Sequence, residues 1–125
     1  MQVKLNKEDL KNYLLSKIKP VEINEEDYVV INGFSRYRMM KEYPFDVYDP
    51  VTKSFNYGER QSRTGFVLGL VNDDGKHVSV RKSRLIASQF MKGFSEKNLL
   101  FHINGDKFDN HLENLTTHRS ELKNK

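Results

Sequence analysis

The chain has 125 residues and no cysteine, and none of its apolar stretches is long enough to cross a bilayer as a helix. The first absence excludes a disulfide framework, a thiolate zinc site and a cysteine nucleophile. The second leaves only strand-length apolar runs, of which Phe66 to Val71 is typical. The amino terminus MQVKLNKEDL also lacks the apolar core of a signal peptide. Together these features lead us to expect a cytoplasmic protein with no membrane contact. The length has room for one domain.

Charge is abundant: 30% of residues are Asp, Glu, Lys or Arg, against 37% hydrophobic, and the net charge is +4. The excess is uneven. Residues 1–50 carry 8 basic and 9 acidic side chains, whereas residues 51–125 carry 13 and 8. A basic half attracts polyanions, because each neutralised phosphate releases condensed counterions. It is equally the composition of a solvated surface, and charge alone leaves both open.

Periodicity predicts an α+β chain in three segments, forming one compact domain overall. In residues 1–20, Asn6 can cap a helix in which Leu10, Tyr13, Leu14 and Ile18 recur at helical spacing until Pro20. Residues 21–60 read as a small antiparallel β segment, with strand-like stretches at Val29 to Ile31, Tyr37 to Met39 and Asp46 to Tyr48. Asn32-Gly33 and Asp49-Pro50 break it. Residues 61–125 begin with a β-hairpin that alternates through Phe66, Leu68 and Leu70, turns at Asp74-Gly75 and returns through Val78 and Val80. Ser83 is the expected cap of a following helix, whose Leu85, Ile86 and Phe90 face the sheet. Arg60, Arg63, Lys76, Arg81, Lys82 and Arg84 surround the hairpin, and their spacing makes them candidates for a phosphate cradle.

The stretch FHINGDKFDNHLENL, residues 101–115, is the most unusual. It predicts a strand carrying His102, a turn-rich loop and a returning strand, followed by a helix begun by RSELKNK. Such an order can combine a base that takes a proton from water, a metal that stabilises phosphate charge and an amide that fixes the imidazole tautomer. The same composition also describes a polar turn beside a satisfied histidine.

The run HINGDKFDNHLENL resembles the core of HNH endonucleases of phages and mobile introns, which have a ββα-metal fold. The shared pattern falls on His102, Ile103, Gly105, Asn110, Leu112, Asn114 and Leu115. SRLIASQF is similar to the stretch that leads into that core, and INGFSRYRMM resembles the modular DNA-binding motif that often precedes it. The resemblance implies a DNA endonuclease in which His102 is the general base, Asn114 orients its ring and Asn110 stabilises the loop. Lys107, His111 and Arg119 become further phosphate-contact candidates. It also implies a divalent metal, magnesium or manganese. Two positions depart from the family: Phe101 stands where a metal ligand usually precedes the base, and Leu122 and Lys123 stand where the final helix supplies another. His118 and Glu121, three residues apart, are substitute ligands if the helix starts early; otherwise His118 ends a strand and Glu121 is solvent-exposed. The alternative readings are a binding protein that kept the scaffold without turnover, acting on DNA or on a protein partner, and an RNA-binding protein using the same surface.

Overall fold

The computed structural model describes residues 22–56 and 59–122. The chain is mixed α+β, with most of its ordered structure in sheets and a single α-helix among the described residues. The helix expected within residues 1–20 lies outside them.

The first sheet is an antiparallel meander of β1 (Tyr28–Ile31), β2 (Phe34–Met40), β3 (Val47–Asp49) and β4 (Ser54–Phe55). The Asn32-Gly33 turn joins β1 to β2, with Gly33 at φ 81°, a conformation that glycine adopts at little cost. At the far side of the sheet Asp49 is buried and gripped by the Arg36 guanidinium at 2.7 and 3.1 Å. Burial pushes the Asp49 carboxyl up, but Arg36 and the Val51 amide together hold it below its ordinary range.

The second sheet orders β5 (Glu59–Ser62), β6 (Gly65–Val71) and β7 (His77–Arg81), all antiparallel. β6 and β7 are the expected hairpin, closed through Asp74-Gly75, where the Asn72 carboxamide accepts the backbone N–H groups of Asp74 and Lys76. β5 was not anticipated. Its sequence ERQS is polar because it forms an edge, so no apolar alternation marks it. The helix α1 runs from Lys82 to Phe90, one residue before the expected Ser83 cap. Arg81 occupies the cap position without a side-chain hydrogen bond, and Ser83 is buried in the first turn.

One core joins these parts. Ile31, Tyr37, Met39, Phe45 and Val47 of the first sheet region meet Leu68 and Leu70 of β6, Leu85 and Ile86 of α1, and Leu115 near the carboxyl end. As expected, Leu85 and Ile86 are buried, and Phe90 packs on Phe45 with ring centres 5.3 Å apart. Polar links cross the same seam. The Tyr37 hydroxyl accepts the Val71 N–H at 3.0 Å, Asp73 accepts both Ser35 donors at 2.7 Å, and the Gln89 amide closes the exposed edge of β1.

Lys82 is the correction with the largest consequence. Its side chain is only 6% exposed, and its ammonium lies 3.1 Å from Asp46 and 3.0 Å from Glu59. Glu59 pairs across from Leu68, so it projects from the helix-facing side of the sheet, and Lys82 supplies the charge that such a carboxylate needs. Lys82 therefore holds two sheets and a helix together and is not a phosphate contact. Among the described residues no helix is long and apolar enough to cross a membrane.

Removing one member of a buried charge cluster strands its partners. Lys82→Ala is expected to lower unfolding stability by about 3 kcal/mol in urea titrations; a loss below about 1 kcal/mol would remove Lys82 from this structural role.

Candidate functional site

The motif region forms a short ribbon of β8 (Phe101–His102) and β9 (Leu115–Thr116), pairing Phe101 with Thr116 and His102 with Leu115. A loop of nine residues, 103–111, and a 3-10 turn at Leu112–Asn114 connect them. The loop is held by its own short polar side chains: Asn104 accepts the Asp106 N–H and Asp106 accepts the Phe108 N–H.

The two motif asparagines exchange the jobs expected of them. Asn110 is buried, and its carboxamide oxygen lies 2.8 Å from His102 Nε2. Asn114 reaches no ring. It accepts the Asn104 N–H at 3.1 Å and donates to the Asn104 side chain at 3.0 Å and to the Asp109 carbonyl at 2.9 Å, binding the loop to the returning strand. Asn110 thus orients the histidine and Asn114 stabilises the loop.

The Asn110 contact also selects a tautomer. A carboxamide oxygen only accepts, so Nε2 must carry the proton and the lone pair of a neutral ring sits on Nδ1. His102 Nδ1 has no hydrogen-bond partner among the described residues, and the residue is half-buried. This is the arrangement a general base requires: one nitrogen tethered, the other open.

His111 is engaged differently. Its Nδ1 lies 2.6 Å from Asp109, and its ring stacks on Tyr43 at 3.6 Å between centres and 12° between planes. Tyr43 comes from the loop between β2 and β3, so the stack ties the motif to the first sheet. The His111 ring, aided by the His111 backbone N–H, holds the Asp109 carboxyl below its ordinary range, against a smaller effect of burial. His111 was expected as a phosphate contact or a plainly solvent-exposed side chain; it is partly exposed and its ring is engaged by Asp109 and Tyr43.

The metal ligands expected from the sequence do not fit. Residues Arg119–Glu121 form one 3-10 turn, closed by the Glu121 N–H on the His118 carbonyl, and both His118 and Glu121 are exposed. The helix expected there is not formed over these residues, and Lys123 lies beyond the described ones. Among the described residues no group of three His, Asp or Glu side chains is placed to hold a metal. Phe101 carries Arg119 over its ring at 5.6 Å, so Arg119 is also committed to packing.

The basic residues divide by strand register. Arg60, Val67 and Arg81 pair in one transverse row, and Gly69 with Ser79 and Val71 with His77 form the next rows on the same side. This face looks away from α1. Arg60 and Arg81 are exposed on it, and Arg60 donates to Ser79 at 3.0 Å, which confirms the shared side. Arg63 lies in the turn at one end and Lys76 in the turn at the other, both exposed. Gly69 leaves the middle bare: nothing lies within 4 Å of where its Cβ would be, so no packing demand places glycine in this central strand. β6 gives the face a length of about 20 Å. Arg84 is not part of it, since its guanidinium donates to the carbonyls of Glu96 and Asn98.

Gly65 joins this face to the motif. A Cβ on it would come 2.5 Å from the Lys107 carbonyl oxygen, and its φ of +110° is hostile to any side chain. The loop carrying exposed Lys107 thus rests directly on the end of β6, two residues from the Arg60 and Arg81 row. Sequence reasoning overlooked Asp109, Asn104, Ser79 and Tyr43. The spacing of Asp109 and His111, two apart, was the available signal for the first.

Because the folded carboxyl is depressed, the Asp109 contact contributes stability above the ordinary carboxylate value of 3.8 and loses it as pH falls through the folded value. Asp109→Asn is accordingly expected to be less stable than the parent near about pH 5, with the gap closing in stronger acid; a gap unchanged down to about pH 2 would contradict this. Compared with known proteins, the chain matches no family model, no curated protein and no solved structure, so any functional reading rests on this geometry and on the motif of residues 102–115.

Proposed function

We propose that the protein is a DNA-binding protein of the HNH endonuclease type, hydrolysing phosphodiester bonds with His102 as general base. The observation that carries this reading is the His102 ring, tethered at Nε2 by Asn110 and open at Nδ1, in a ribbon whose loop rests on Gly65 at the end of β6. His102 Nδ1 takes a proton from water, the water oxygen bonds to phosphorus, and the bond from phosphorus to the leaving sugar oxygen breaks. That oxygen then takes a proton from solvent. The Asn110 tether keeps Nδ1 unprotonated in the neutral ring and aimed, without adding charge to a site that must accept a phosphate. Arg60, Arg81, Arg63, Lys76 and Lys107 hold the DNA backbone beside it. A divalent metal, magnesium or manganese, would stabilise the charge that builds on the phosphate, but the described residues offer no ligand set for it and no step is routed through it.

A second reading is a binding protein without turnover, acting on DNA or on a protein partner. Phe101 favours it, since the residue before His102 is an apolar ring under Arg119 and offers no ligand atom.

Incubation with supercoiled plasmid and manganese separates the two. The endonuclease reading expects nicking that EDTA and His102→Ala each abolish, while duplex binding by His102→Ala stays unchanged. Asn110→Ala is expected to slow cleavage about tenfold to a hundredfold by releasing the ring. Plasmid bound but never cut supports the second reading. The double change Arg60→Gln and Arg81→Gln is expected to lower the slope of log affinity against log salt by about 2; an unchanged slope would move the DNA off this face.

A further inference from the structure

A separate cleft of about 470 Å³ opens at the free edge of β7, between that strand, α1, the start of β2 and the loop after α1. Its volume lies in the range of small-ligand sites. Phe34 and Phe94 contribute rings, and Val80 and Leu85 contribute apolar surface. Two guanidinium groups line it, and they differ in kind.

Arg84 is immobilised. Its nitrogens donate to Asn98 and Glu96 carbonyls at 3.0 and 3.1 Å, and its guanidinium carbon stands 5.0 Å from the centre of the Phe94 ring. Two of its five N–H groups are thus spent and one of its faces is against Phe94, so what it offers a ligand is its remaining N–H groups and the other face of a fixed cation. Arg81 is exposed and has no hydrogen bond or ion pair among the described residues. It belongs both to the cleft and to the outer sheet face, so a chain lying along that face passes the mouth of the cleft.

The occupant must therefore be planar and apolar on its faces, polar at its edges and joined to an anion. Asn32 and Glu96 are the polar residues of the lining beside Ser79 and Ser88. We propose that the cleft takes one unstacked nucleotide of a bound nucleic acid, its base against the aromatic and guanidinium groups that line the cleft and its phosphate on Arg81. Stacking on aromatic rings and guanidinium planes is the general mode by which proteins hold bases that have left a helix. The inference deepens the DNA-binding reading and rests on it.

The test measures binding of the full chain to three probes: a single-stranded oligonucleotide, the same strand with one central abasic position, and a fully paired duplex. Loss of the base is expected to weaken binding about tenfold, the effect of one stacked base. Phe34→Ala should bind the intact and abasic strands equally and leave duplex affinity unchanged. Phe34 packs on the core, so Ser88→Phe provides a second variant: Ser88 is exposed, lines the cleft and bonds only to its own helix, and the larger side chain fills the site from outside. It should likewise abolish the discrimination. Equal binding of intact and abasic strands by the parent protein overturns the proposal while leaving duplex binding in place. Equal weakening of all three probes by Ser88→Phe also overturns it, as a loss of general affinity. Failure of every probe to bind would instead overturn the DNA-binding reading beneath it.

Discussion

The buried ammonium of Lys82 is the point on which the two main sheets and the helix converge. Asp46 lies just before β3, Glu59 begins β5, and Lys82 begins α1, so one cation fixes three chain segments that share no backbone ladder. Each carboxylate is partly buried and would repel the other without the lysine. Hydrophobic burial around Leu68, Leu85 and Ile86 supplies the larger driving force, but it is non-directional. The ion cluster gives the packing a registry. Everything that presents the basic face to solvent follows from that registry, because it sets which side of β6 is covered by α1.

What was legible in the sequence is what local periodicity encodes. The hairpin announced itself through Phe66, Leu68 and Leu70 and the Asp74-Gly75 turn, and α1 through Leu85, Ile86 and Phe90, because burial on one side of a strand or helix imposes a period. Three things were illegible for physical reasons. β5 has no apolar pattern, being an edge with a polar outer side and an inward Glu59. Lys82 and Arg84 carry the charge of surface residues, and only tertiary partners decide that one is buried and the other spent on carbonyls. The exchange between Asn110 and Asn114 depends on the 3-10 turn at Leu112–Asn114, which rotates the chain between them and turns Asn114 toward the loop. Two residues of the same type in one short motif cannot be told apart until that rotation is known.

The motif itself is economical in charge. Its buried polar groups, Asn110, Asn114 and Thr116, are all neutral, and the Asp109 carboxylate is matched by its bond to His111. The two other carboxylates of the stretch, Asp106 and Glu113, have no ion pair among the described residues and are exposed to solvent screening, so on the proposed reading a neutral buried shell spares the base a further opposing charge. The exposed cationic residues Arg60 and Arg81 stand instead on the adjacent sheet. On the proposed reading, attraction and proton transfer fall to different elements.

Those elements meet at Gly65, where a strand residue with no side chain lies under the Lys107 carbonyl. The height of the loop above the sheet is consequently set by the radius of a hydrogen atom rather than by anything within the loop. A graft of residues 101–116 onto another sheet would reproduce the histidine and its tether but not their distance from the cations, unless the host strand also offered a bare α-carbon at that place. The portable unit is therefore larger than the sequence motif: it includes the last residue of a turn some forty positions upstream.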